Sequence, residues 1–171
     1  DDAMATTAVA ELSCRTLEDS LRWVQVQLDA GMTVDSVAWD GRSTEFFKGP
    51  NNPQLWVRCD DAGTRGAGHT LRVRYHGAFI ERVGDWFLLS TSTGWYPQAY
   101  ARDRASFDLT FRVPTGITVT SVGERKSLES DRTTSTSHWV VDRPIRNASF
   151  NLGFFNEERF GGGDAPSVTA L

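Results

Sequence analysis

Residues 70–77, Thr70-Leu71-Arg72-Val73-Arg74-Tyr75-His76-Gly77, read "TLRVRYHG". Leu71, Val73 and Tyr75 alternate with Arg72, Arg74 and His76. A strand turns successive side chains to opposite faces, so this stretch is a strand with one buried face and one wet face. Working outward, the same period recurs. "SFDLTFRVP" (106–114) sets Phe107, Leu109, Phe111 and Val113 against Asp108, Thr110 and Arg112, and the first four are expected to be buried together. "QLWVRCD" (54–60) sets Leu55, Val57 and Cys59 opposite Trp56 and Arg58.

Further strands are expected at 5–14, 21–28, 33–39, 86–90, 117–122, 137–141 and 147–155. Turn signals separate them: "DAGM", "WDGRS", "GPNNP", "DDAGTRGAG", "VPTG" and "DRP". In "VPTG" (113–116) proline lacks an N–H for the ladder and glycine accepts positive φ, so a strand ends there. "DRPIR" (142–146) is expected to break a strand in the same way. Phe150, Leu152 and Phe154 share parity and are expected to close the core. One short helix is expected, at 44–48, "TEFFK". About ten short strands with this spacing predict an all-β fold, an antiparallel β-sandwich.

The 171 residues suffice for one domain with a real core. The net charge of -4 comes with no basic stripe, which argues against nucleic acid as a partner. No apolar run approaches the roughly 18 residues of a membrane span. The chain starts "DDAMATTAV", which leaves cytoplasmic, periplasmic and secreted locations open. Two cysteines are too few for a disulfide scaffold. By parity Cys14 and Cys59 both point inward, either as buried free thiols or as a disulfide between neighbouring strands.

Catalytic motifs are missing. The sequence contains no H-E-x-x-H and no G-x-S-x-G. His69 and His76 point to opposite faces of one strand, and Arg72 and Arg74 beside His76 would repel a cation. Asp60 and Asp61 lack the spaced ligands of a calcium loop. No metal site, cofactor or catalytic residue is therefore expected within this chain.

"GWYPQ" (94–98) remains to be explained. Two large aromatics and a proline occupy a loop where polar residues would suffice. Trp95, Tyr96, Pro97 and Gln98 either face a partner or plug the open end of the sandwich; aromatics suit both roles.

The order of segments resembles the amino-terminal β-sandwich domain of the M1 family of zinc aminopeptidases, in a divergent bacterial-type form. "MTVDSVAWDGR" resembles the family's strand leading to a V-x-x-D-G turn, and "HTLRVRYHGAFI" its L-x-V-x-Y-x-G. "GDWFLLSTSTGWYPQ" is similar to the strand and loop entering its proline-containing bend. "FDLTFRVPTGITVTSVGE" and "WVVDRPIRNASFNLGFF" resemble the later strands before the catalytic domain. The resemblance covers residues 5–170. It implies a saddle-like sandwich over 1–160, with 161–171 forming a linker and the first strand towards an absent catalytic domain.

Zinc, H-E-x-x-H and activity would all belong to that absent domain. The partners implied are the catalytic domain of the same chain and, in the full-length protein, a peptide substrate. The loop holding Trp95, Tyr96, Pro97 and Gln98 would face the catalytic domain. In the family a glutamine or glutamate from this loop binds the substrate's α-amino group. The usual T-Q-x-E is not present, and Gln98 follows the proline instead of preceding it, so that role is not carried over to it. The alternative is a stand-alone carbohydrate- or protein-binding module, with Trp56 and Trp139 exposed on strand faces to stack on sugars.

Overall fold

The computed structural model describes residues 2–60, 63–84, 86–89, 94–99, 104–155, 158–160 and 168–170. All regular elements among them are strands. The chain divides into two compact units, Asp1–Arg82 with Leu88–Arg104, and Val83–Phe87 with Ala105–Leu171.

The first unit contains β1 (Asp2–Arg15), β2 (Trp23–Gln27), β3 (Thr33–Trp39), β4 (Arg42–Ser43), β5 (Phe46–Lys48), β6 (Gln54–Arg58) and nearly all of β7 (Gly68–Val83). Strand β7 carries "TLRVRYHG", and its Leu71, Val73 and Tyr75 are buried while Arg72, Arg74 and His76 are exposed. It pairs antiparallel with β1 on one side and with β3 on the other, and β4 follows β3. Register places Leu12 opposite Leu71, and Val37 opposite Val73, so the apolar residues share one face.

A second antiparallel sheet, β2–β6–β5, presents buried Val26, Leu55 and Val57. The β3–β4 hairpin closes through Asp40-Gly41, with φ of 48° and 76°. Positive φ at both loop residues suits the tight turn that matches strand twist, and Asp-Gly is the pair that adopts it at low cost.

The helix expected at 44–48 is absent: Phe46–Lys48 is strand β5, paired with β6 at Phe46–Val57, Phe47–Trp56 and Lys48–Leu55. Three residues are too few to show a period, and tertiary pairing overrides local propensity.

Strand β8 (Trp86–Leu89) follows. The second unit contains β9 (Ala105–Pro114), β10 (Thr118–Ser121), β11 (Glu124–Ser130), β12 (Thr134–Ile145), β13 (Phe150–Gly153), β14 (Glu158–Phe160) and β15 (Val168–Ala170). Strands β11, β12 and β9 form one antiparallel sheet, and β10 pairs with β13. Phe111 of β9 meets Phe150 of β13 at a centroid distance of 4.8 Å. Strand β9 ends at Pro114, and Gly116 turns the chain with φ 98°, as "VPTG" predicts.

Four expectations need correction here. Phe107, Leu109, Phe111 and Val113 share a face, but they are half-buried and not deeply buried. Phe150 and Leu152 are buried, whereas Phe154 is 55% exposed, because β13 ends at Gly153 and parity lapses. "DRPIR" does not end β12, which runs to Ile145 through a register shift between Val141 and Ile145. A bulge is one of the places where a sheet tolerates proline. Trp139 is 7% exposed, with its indole N–H donating to the Ser137 hydroxyl at 3.1 Å, so it is not available on a strand face.

The tail is expected to be a strand from Ser167 to Leu171. Val168–Ala170 is one, paired antiparallel with Glu158–Phe160, and Ser167 and Leu171 lie outside the described residues.

Candidate functional site

Loop Gly94–Ala99 is fastened within the first unit by its backbone. The Asp29 N–H donates to the Gly94 carbonyl at 2.8 Å. Gln27 and Gln98 exchange N–H to carbonyl bonds of 2.7 and 2.9 Å, an isolated antiparallel bridge. The segment therefore lies beside β2 as a brief strand, and its residues alternate. Trp95 and Pro97 are buried, and Tyr96 and Gln98 are half-buried. A buried proline brings no backbone N–H that must be satisfied, which suits this position.

Tyr75, from the opening stretch, donates its hydroxyl to the Trp95 carbonyl at 2.8 Å in the interior. Burial pushes the Tyr75 phenol well above the usual tyrosine range, so it stays a donor. The Trp95 ring stacks on Phe79 at 6.3 Å with a 15° interplanar angle. It also meets Tyr96 edge-on at 4.9 Å. Trp95 and Pro97 thus close this unit's interior, while Tyr96 and Gln98 keep part of their surface accessible.

Each histidine is placed against one aspartate. His69 Nδ1 lies 2.8 Å from Asp40, His76 Nδ1 2.8 Å from Asp35, and His138 Nε2 2.8 Å from Asp108. His69 also stacks on Trp39 at 4.8 Å. Asp40 collects two donors, the His69 ring and the Thr70 N–H at 2.8 Å, and both hold its carboxyl below the ordinary aspartate value. Among the described residues no group of three or more histidine, cysteine or acidic side chains is placed to hold a metal. The residues here do not fit a zinc site.

Cys14 and Cys59 are free thiols. Cys14 lies opposite His69 in the β1–β7 ladder, and the Cys59 thiol donates to the Leu21 carbonyl at 3.4 Å. Burial pushes both thiols up, away from the reactive thiolate. Asp60 pairs with Arg58 at 2.8 Å, and Asp61 lies outside the described residues.

Sequence reasoning missed the Asp40–His69 pair and the outward row formed by Gln25, Trp56 and Phe47. The "WDGRS" turn could have pointed to the first, because it returns Asp40 towards the entry of β7. The second was hidden by reading 44–48 as a helix.

No protein-family model and no curated protein sequence matches the chain. Solved structures do. An M1 zinc metallopeptidase from Deinococcus radiodurans superposes with a TM-score of 0.78 at 16% identity, over 95% of this chain and 42% of that one. A mutant of that enzyme bound to a Tyr-Ser-Ala substrate gives 0.77 at 16% identity, over 96% and 42%. Yeast LTA4 hydrolase in complex with bestatin gives 0.70 at 12% identity, over 98% and 28%. The chain thus spans about two-fifths of the length of the Deinococcus proteins. At these identities the likeness is one of fold, and the fold is the amino-terminal β-sandwich of the M1 zinc metallopeptidases.

Proposed function

We propose that this chain is a non-catalytic accessory domain of an M1-like zinc metallopeptidase, packing against a catalytic domain and helping to wall its substrate cleft. The observation that carries this reading is the match over 95% of the chain to only 42% of a zinc metallopeptidase. Zinc and the hydrolytic chemistry then belong to the remainder of the protein, and the substrate is a peptide. Residues 1–160 form the sandwich, and 161–171 form the boundary towards the catalytic domain. In this reading Tyr96 and Gln98 supply the accessible part of the loop at that interface, and Trp95 and Pro97 hold the loop in shape.

Two measurements test the proposal. The reading frame beyond residue 171 should encode H-E-x-x-H, and its absence would overturn the assignment. The 171-residue chain, dialysed against chelator and then supplied with zinc, should neither retain stoichiometric metal nor hydrolyse an aminoacyl anilide. Either property would place a catalytic centre here and refute the accessory role.

A further inference from the structure

The outward face of the β2–β6–β5 sheet carries aromatic side chains that no core uses. Gln25, Trp56 and Phe47 lie directly opposite one another across the three strands. Trp23 faces Arg58 in the adjacent row, which makes it a diagonal neighbour of Trp56. Side chains in such positions sit about 5–8 Å apart, close enough to form one surface. Trp23 is 42% exposed, Trp56 37% and Phe47 63%. Scattered apolar residues on a surface need no explanation, but three aromatics in two adjoining rows form a patch.

The polar groups around the patch point to the kind of ligand. Gln25, Gln27 and Gln54 stand at outward positions of the same sheet, each with a neutral amide offering donors and an acceptor. The one cation at the outward positions of these strands, Arg58, is already bonded to Glu45 and to Asp60, each at 2.8 Å. An open depression of about 420 Å³ adjoins Arg58, lined also by Ser43, Thr44, Glu45 and Asp60. The face is therefore aromatic, amide-rich and charge-compensated, with a hydroxyl- and carboxylate-lined hollow at its edge. A phosphate-bearing or strongly acidic ligand would find no free cation among these groups. A neutral, polyhydroxylated ring with an apolar C–H face matches them, because it can stack on indole and hydrogen-bond to amides.

We propose that this face binds a neutral polysaccharide chain, with Trp56 as the central stacking platform, Trp23 and Phe47 flanking it, and the glutamine amides holding hydroxyls. The face borders the Gln27–Gln98 bridge, whose loop the proposed function turns towards a catalytic domain, so the glycan would lie over the β6–β5 end and tether the protein to a glycan-bearing surface or matrix.

The test is titration of the 171-residue chain with neutral hexasaccharides of glucose, xylose, mannose and N-acetylglucosamine, followed by tryptophan fluorescence. At least one should give a saturable change that survives 0.5 M salt, a condition of about 4 Å screening length. Trp56→Ala should weaken that association by at least about tenfold, and Trp23→Ala and Phe47→Ala by about two- to fivefold. Trp56→Phe should retain most of the binding, which separates loss of the platform from loss of the fold. Leu128→Ala, an exposed apolar residue on β11, should change nothing. The proposal is overturned if no hexasaccharide binds, if Trp56→Ala binds as well as the parent, or if salt abolishes binding. It is also overturned if the parent sediments as a dimer that Trp56→Ala dissolves, since the face would then be an interface between copies.

Discussion

The two units are built from the same alternating strands but bury them to different depths. In the first, β6 and the middle of β7 alternate fully buried with exposed residues. In the second, β9 alternates half-buried with exposed residues. Among the described residues, the largest fully buried side chains (Tyr75, Leu28, Leu55, Leu71, Val57, Val73, Pro97 and Cys59) all belong to the first unit. There, two sheets and the 94–98 loop all contribute buried residues. In the second, β9 pairs with β12, and across from it Phe111 meets Phe150 of the four-residue strand β13. Alternation therefore reports which face of a strand is apolar. Depth is set by how much chain lies over that face, which a strand's own sequence does not contain.

The sharpest test of this difference is truncation at the centre of each unit. Leu55→Ala, at a site with no exposure, should cost about 3–5 kcal/mol in urea melts. A loss below about 2 kcal/mol would mean that the first unit's interior relaxes readily, and the contrast would fail. Tyr75→Phe should follow, at about 1–3 kcal/mol, because it leaves the buried Trp95 carbonyl without its donor. It should also speed hydrogen exchange at the Gln98 amide, which is bonded to the Gln27 carbonyl. Unchanged exchange would show that the loop is held without the tyrosine. Leu109→Ala in β9 should cost only about 1–2 kcal/mol, in proportion to its half burial. A value near that of Leu55→Ala would erase the distinction between the units.

The smallest effect is electrostatic. Asp40 has a folded-state pKa below its unfolded value, held there first by the His69 hydrogen bond and then by the Thr70 N–H. Its contribution is therefore complete above the unfolded pKa, near 4, and is lost as pH falls through the lower folded value. Asp40→Asn should change stability at pH 7 by no more than about 1 kcal/mol, since the carboxylate is largely exposed. It should flatten the decline of stability below about pH 4. An unchanged acid limb would show that Asp40 is not among the groups responsible.

The same distinction explains what could be read from the chain. Strand identity and face at 70–77 and 106–114 were legible, because seven or more residues display a period of two. Strand β11 was not: Glu124–Ser130 lies at the edge of its sheet, almost wholly exposed, and its "ERKSLES" offers no apolar alternation. Strand β5 was too short to show one. In the loop, the sequence allowed both a plug and a contact surface. The Gln27–Gln98 bridge divides those roles by parity, inward for Trp95 and Pro97 and outward for Tyr96 and Gln98. That bridge joins residues far apart in the chain, so no local pattern could reveal it.

The β1–β7 ladder has a consequence for how the protein is made. Arg15 pairs with Gly68 and Asp2 with Arg82, so β1 lies against a strand that follows it by more than fifty residues. At synthesis rates of about 5–20 residues per second, β1 leaves the ribosome roughly 3–10 s before the start of β7. During that interval β1 lacks its native partner, and its free N–H and C=O groups are open to other chains. Closing so long a loop also slows folding after release, as pairings distant in sequence generally do. Strand β1 is thus made well before its partner and docks late, which makes it a segment through which a nascent chain of this fold is exposed to misassembly.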